Sequence, residues 1–299
     1  MSSENEHGAF YFDQENYLCV GRVRLVDFVE KFLSLEECSE TVSVENRNQL
    51  IPYKSKIPTP VVIYSKQRLI HNLKNYLKSF QEELTEKLGI EASISYSLKA
   101  NFNPTVLKLF FENGTWASLV NSNELKLALK VGFQGENLIF NGNGKTLSEI
   151  ELAIQSKCYI NIDSMFNLKD TLKTAEKLRN KDFLPAKLLL RVNVSSSAGV
   201  HSYLDTSGNS KFGIEATRLE DIIEQIKSNS QLVSLVGFHI HLGSTIKTIN
   251  IYKNSVENLV TLVNDIMEKH KLESIKIINF GGGLGIDYER FSYRTSNSY

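Results

Sequence analysis

Four segments of the 299-residue chain carry side chains able to do chemistry. The first reads Ser95-Tyr96-Ser97-Leu98-Lys99-Ala100-Asn101. Side chains alternate along a strand, so Ser95, Ser97 and Lys99 share one face while Tyr96 and Leu98 take the other. With the apolar face against helices, Lys99 points inward at the strand's C-terminal end. A buried lysine is costly unless it is paired or converted, and a Schiff base with an aldehyde cofactor is one conversion. A strand-end lysine reaching solvent is the other reading of this segment. The second segment is Gly237-Phe238-His239-Ile240-His241-Leu242-Gly243-Ser244. Its two histidines are two apart and share a face; without a third ligand nearby they are no more than half a metal site. A core histidine and an imidazole lying flat on an aromatic ligand are the competing readings. The third is Gly281-Gly282-Gly283-Leu284-Gly285 after an apolar run, where bare backbone can approach an anion closely. It lacks the dinucleotide fingerprint's spacing and its downstream acid, and a plain glycine loop is the alternative. The fourth, residues 195–213, is a long loop whose Ser210, Lys211, Phe212 and Gly213 favour a lid or an interface.

These segments need a scaffold, and the hydropathy pattern supplies one. Apolar, β-branched runs occur at 94–98, 116–120, 138–140, 159–162, 188–194, 235–242 and 275–280. Each gap has room for a crossover helix. Leu69, Leu73, Leu77, Phe80 and Leu84 fall on one helical face, as do Val256, Leu259, Val260 and Val263. Thr146 and Glu149 read as a capping box opening another helix. Alternating strands and helices imply parallel pairing, and an unbroken series implies an α/β fold of the (β/α)8 (TIM) barrel kind. Seven strands are legible, so the expectation is a barrel that is C-terminally incomplete. Residues 1–50 hold ten acids against four bases, with a strand-like piece at 17–24 and a helix-like piece at 25–35.

Composition narrows the classes. Thirty-four basic side chains balance 34 acidic ones, which argues against a general nucleic-acid or membrane-surface binder. Cys19, Cys38 and Cys158 are far apart and unpaired with histidines, as expected of reduced thiols and no metal site. No apolar run approaches membrane-spanning length. The polar, acidic first residues are unlike a signal or transit peptide, so a cytoplasmic location is expected.

Taken together, residues 96–101, 141–145, 161–164, 209–214, 239–246 and 280–288 resemble, in order, the signature segments of the pyridoxal-phosphate decarboxylases with an alanine-racemase-like barrel. Within that family they are most similar to the plant-type branch of the diaminopimelate decarboxylases. The resemblance implies pyridoxal 5'-phosphate as cofactor, Lys99 as its covalent anchor and His241 stacked on its ring. It implies Ser244, Gly281, Gly282 and Gly283 at the phosphate, with Arg191 and Asn193 near the cofactor and Lys211 near a subunit interface. The implied reaction is loss of carbon dioxide from meso-2,6-diaminopimelate to give L-lysine, in a homodimer, with no nucleic-acid or membrane partner. The implied layout is an N-terminal extension over 1–55, a cofactor-binding barrel over 56–288 and a divergent tail over 289–299. Two departures accompany it. Ser118 stands where many bacterial members have Asp, and the family's eighth strand (with its Glu-Pro-Gly-Arg segment) and C-terminal β domain find no counterpart before residue 299. A truncated, catalytically incompetent form is therefore expected. The alternatives are a non-catalytic cofactor-binding barrel and a decarboxylase of ornithine or arginine.

Overall fold

A computed structural model describes residues 10–20, 23–28, 62–180, 182–194, 212–244 and 246–285. They fall into two compact units that divide between residues 92 and 93. In the first unit, β1 (Phe10–Phe12), β2 (Leu18–Val20) and β3 (Val23–Arg24) form an antiparallel sheet. Asp13 organises its first turn by accepting from the amides of Glu15 and Tyr17, and Arg24 closes onto the same carboxylate. The unit also holds α1 (Lys66–Phe80), capped by Ser65, with Leu73 on its buried face. The expected helix at 25–35 is described only to residue 28, and Cys38, Lys211 and most of the 195–213 loop lie outside the described residues.

The second unit is built as the sequence pattern requires. Its strands are β4 (Ser95–Ser97), β5 (Trp116–Leu119), β6 (Leu138–Phe140), β7 (Tyr159–Ile162), β8 (Ala186–Arg191), β9 (Val233–His239) and β10 (Ile277–Asn279). They pair in parallel, each beside its sequence neighbour, in a curled seven-stranded sheet of the alanine-racemase-like barrel type. The crossover helices are α2 (Pro104–Glu112), α3 (Ser122–Val131), α4 (Leu147–Gln155), α5 (Met165–Leu178), α6 (Ala216–Ser228) and α7 (Ile249–His270). Asn103, Asn121, Thr146 and Ser164 each cap a helix within a few residues of a strand's end, and Thr146 with Glu149 forms the expected capping box. These caps start helices at the carboxyl edge of the sheet, so helix amides gather there. None of the described helices is long and apolar enough to cross a membrane.

The sheet's outer face makes the core. Ala117, Leu119, Leu138, Phe140, Ile160, Ile162, Leu188 and Leu190 are buried in one cluster with Leu107, Leu125, Ile222 and Leu259 of the helices. Along β9 this parity changes partway. Val233 and Leu235 belong to the outer cluster, but so do Phe238 and Ile240. The register explains it: Leu188 pairs with Leu235, whereas Leu189 pairs with Gly237, leaving Val236 as an extra residue. This β-bulge turns His239 and His241 to the inner face. Gly237 permits it, because a Cβ there would stand 2.2 Å from the Ile277 carbonyl oxygen and 2.8 Å from Leu189 Cδ2.

Two expectations need correcting. Val260 is 41% exposed; the buried stripe of α7 runs through Ser255, Leu259, Leu262, Val263 and Ile266, because one turn of 3.6 residues cannot keep both 256 and 260 centred on it. The strands also end early: β4 stops at Ser97 and β9 at His239, so Lys99 and His241 lie beyond the ladders.

Candidate active site

Lys99 is carried by a turn, not by a strand. Leu98 is fully buried and donates its amide to the Ser118 carbonyl at 3.1 Å, and Ala100 N–H closes the turn onto Ser97 O at 3.1 Å. Tyr96 clasps the far side: its ring stacks on Phe110 at 4.1 Å and its hydroxyl donates to Asn101 O at 3.1 Å. Buried Leu98 and clasped Tyr96 leave Lys99 at the tip, exposed, with no ion-pair partner among the described residues. Leu98 and Tyr96 take the helix side that strand alternation assigned them, and the residue opposite, Lys99, is carried by a turn and not by the strand itself. Beside it, Glu124 accepts Val120 N–H at 2.9 Å; burial raises its carboxyl pKa, the Val120 bond opposes this, and the charge of Lys99 opposes it further.

Across the barrel mouth, the segments after β9 and β10 lie on one another. Ile246 N–H donates to Gly283 O at 2.9 Å and Gly285 N–H returns to Ile246 O at 2.9 Å. A Cβ on Gly283 would come 1.9 Å from Gly243 O, and one on Gly281 would come 2.3 Å from Ile240 O and 3.2 Å from His241 Nδ1. Gly282 has nothing within 4 Å of such an atom. Tyr252 braces the loop from α7, its hydroxyl donating to Gly282 O at 2.9 Å. Gly281 N–H is taken by Asn279 Oδ1 at 2.8 Å, while the Gly282 and Gly283 amides have no acceptor among the described residues. Ser244 is exposed beside this loop.

Between these sides lie the cations and the histidines. Arg191, at the end of β8, pairs in register with His239, and its guanidinium sits 5.4 Å from the Phe212 ring centroid. His241 is half-buried; burial, then Arg191, then Lys99 hold its pKa below the usual imidazole value. His241 therefore lies beside the glycine loop, where a Cβ on Gly281 would stand 3.2 Å from its Nδ1, and it feels the charges of Arg191 and Lys99. Asn193 packs at Gly213 instead, its amide 3.4 Å from that carbonyl.

Residues 70–298 match the family model of the pyridoxal-dependent decarboxylases, pyridoxal binding domain. The chain belongs to this family. It is 39% identical over 231 residues to a probable chloroplastic diaminopimelate decarboxylase of Oryza sativa subsp. japonica, covering 77% of this chain and 44% of that protein. It is 34% identical over 233 residues to the diaminopimelate decarboxylase of Aquifex aeolicus, covering 77% and 52%. A diaminopimelate decarboxylase variant from Helicobacter pylori, solved with L-lysine, superposes with a TM-score of 0.65 at 25% identity over 77% of this chain and 55% of that one. The chain thus spans about half the length of the curated relatives it matches.

The residues of this pyridoxal-dependent decarboxylase chain fit the family's cofactor. Two glycines with no room for a side chain, and two amides without an acceptor among the described residues, make a cradle for a phosphate group. An unpaired amine and an imidazole kept neutral flank the remaining space, and no metal-binding cluster occurs among the described residues.

A second polar group lies deeper. Asn161, 1% exposed, donates from Nδ2 to Asn141 Oδ1 and lies 2.9 Å from Nδ1 of His239, itself 1% exposed. Lys145 reaches the same residue from the loop after β6, donating to Asn161 O at 2.6 Å and Asn167 Oδ1 at 3.1 Å. Burial lowers the Lys145 amine to about 8. Sequence reasoning left Asn141, Lys145, Asn161 and Asn167 without a role, and for His239 its core-histidine reading agrees with 1% exposure. The available signal was Asn161 itself, a lone amide at an inward position of an otherwise apolar strand.

This network makes the fold acid-sensitive. Burial, with Arg191 and His241 adding to it, pushes His239 down to about 3 from 6.5. Below pH 6.5 the unfolded chain takes up a proton that the folded chain refuses, so stability falls as pH drops toward 3. At pH 5 the loss from this group is on the order of 2 kcal/mol. Urea midpoints at pH 7 and pH 5 test it: His239→Gln flattens the difference, and an unchanged difference would contradict the assignment.

Proposed function

We propose that this chain is the cofactor-binding part of a decarboxylase acting on meso-2,6-diaminopimelate, releasing carbon dioxide and L-lysine. The observation that carries the reading is the bare cradle of Gly281, Gly282 and Gly283 lying on the His241–Ser244 segment, in a chain whose named relatives decarboxylate diaminopimelate. Lys99 would hold the cofactor covalently, His241 would lie on its ring, and Ser244 with the three glycines would hold its phosphate. Arg191 would complete the cationic wall. Bound pyridoxal phosphate supplies an electron sink for the charge left when carbon dioxide departs.

The chain's own residues supply the rest. The turn at 98–100 aims one amine and keeps it ready to accept or return a proton. A neutral His241 adds no charge against an electron-poor ring. Lys99 and Arg191 bias the mouth toward an anionic ligand, which suits a phosphate and a dicarboxylate substrate. A homodimer is part of the same proposal, and sedimentation of the complete protein tests it.

The substrate is tested by carbon dioxide release from meso-diaminopimelate, L-ornithine and L-arginine by the complete protein. We expect kcat/KM for diaminopimelate to exceed the other two by roughly a hundredfold or more, as for a site built to bond a polar group that the rivals lack. Faster turnover of ornithine or arginine would replace the substrate, and no turnover of any would favour a non-catalytic carrier.

A further inference from the structure

Asn161 has an open valence. Its Oδ1 is buried without any hydrogen-bond partner, on a side chain that is 1% exposed and held at Nδ2 by Asn141 and His239. Exchanging the amide's nitrogen and oxygen does not remove the problem, because the orphaned position would then hold the nitrogen. An unpaired buried amide oxygen costs about 1–3 kcal/mol, so a fold that keeps one keeps it for a partner.

The surroundings narrow that partner. Asn161 lies on the inner face of β7, between Asn141 after β6 and the cross-strand pair Arg191–His239 of β8 and β9. Lys145 pins the backbone of this floor through the Asn161 main-chain carbonyl; with Asn161 Nδ2 donating to Asn141 Oδ1, His239 Nδ1 is the acceptor in the neighbouring contact and its proton lies on Nε2. The free position is therefore a neutral acceptor on the inner face, in a neighbourhood where the charge of Arg191 already acts on His239. A cation is disfavoured there; a hydroxyl is suited, since it can give its proton to Asn161 and take a bond from a cationic donor. On a pyridoxal ring with its nitrogen aside, the one such group is the hydroxyl next to the aldehyde carbon, on the side away from the phosphate arm. The two sides of the mouth already divide in that way, with the glycine loop after β10 and Lys99 after β4.

We propose that Asn161, held by His239 and Lys145, is the specificity contact for the ring hydroxyl of the pyridoxal group. The proposal rests on the cofactor reading above and goes beyond it by naming a residue and an atom of the ligand. His239 and Lys145 act through Asn161 and are positioning residues; neither is required to touch the ligand.

The test compares two ligands on one protein. The complete protein is stripped of cofactor, and dissociation constants are measured for pyridoxal phosphate and for its 3-deoxy analogue, which lacks only the hydroxyl. Wild type is expected to bind pyridoxal phosphate about tenfold more tightly than the analogue, the upper range of one neutral hydrogen bond. Asn161→Leu should bring that ratio near one, and Asn161→Asp, which keeps an acceptor, should preserve most of it. A ratio taken within each variant cancels any general loosening of the fold. A wild-type ratio near one, or a ratio untouched in Asn161→Leu, would overturn the proposal and leave the orphan to a buried water. Should the leucine variant not fold, Asn161→Ala is read in its place, with a ratio near one expected and an untouched ratio overturning the proposal. Failure of the cofactor reading looks different: neither ligand would bind, and borohydride would trap nothing at Lys99.

Discussion

Lys99→Ala abolishes covalent trapping of the cofactor by borohydride and lowers turnover of the complete protein by about 10³-fold or more, the range for losing a positioned proton-transfer group. Peptide mapping of the reduced wild type should place the label on Lys99 alone. The informative competitor is Lys145, the other lysine of this neighbourhood, whose amine burial lowers to about 8. A low pKa would make it the better nucleophile in free solution. Its position forbids this: Lys145 is 7% exposed and its amine is spent on Asn161 O and Asn167 Oδ1. Lys99 has the open position, at the tip of a turn that Leu98 and Tyr96 hold. Label on Lys145, or label surviving in Lys99→Ala, would move the anchor and sink the assignment. Lys99→Arg keeps the charge without a nucleophilic amine, so it should bind cofactor by charge while trapping none. That separates attachment from attraction.

The location of Lys99 shows what can be read from sequence and why. The seven apolar runs predicted the seven strands because sheet burial on the helix side demands branched side chains at alternate positions, as Ile160 and Ile162 or Leu188 and Leu190 display. The same alternation placed Tyr96 and Leu98 on the helix side, where both pack, and Lys99 opposite them; what it could not show is that β4 ends at Ser97, so that a turn and not a pleat carries the amine. For His239 and His241 the shared face was legible, yet the reason they face inward was not. It depends on Val236 being one residue too many against β8, a matter of pairing between strands separated by a helix. Gly237 was the visible trace of that bulge, and in a single sequence it reads as any other strand glycine. Asn161 has no legible task in the sequence, because its meaning lies in a contact to His239 that is 78 residues away in the chain. Local periodicity predicts elements well, whereas site chemistry depends on contacts between elements, which periodicity does not encode.

Gly283→Ala is the second change with a large expected effect, and Gly282→Ala is its control. Gly283 has φ +102°, outside the region an L side chain occupies comfortably, which alone costs roughly 1–3 kcal/mol. Its Cβ would also meet Gly243 O at 1.9 Å, and that oxygen is backbone, so no rotamer can yield. The segment after β10 must lift from the segment after β9, breaking the Ile246–Gly283 and Gly285–Ile246 bonds that hold the two together. Two amides then lose their aim. Each charge-assisted bond to a phosphate contributes about 1.5–3 kcal/mol, so affinity for pyridoxal phosphate should fall by roughly one to two orders of magnitude per amide displaced. Gly282 has no positive φ, and its Cβ would meet no protein atom within 4 Å, so the apo fold should accept alanine there with its thermal midpoint nearly unchanged. What Gly282→Ala does to ligand binding is then read without a folding defect. Loss of affinity in an intact fold would mean that the open side of the loop is where the phosphate lies. Wild-type affinity in both variants would mean that the phosphate is held elsewhere, and the cradle would have to be given up as the reason these glycines occur where they do.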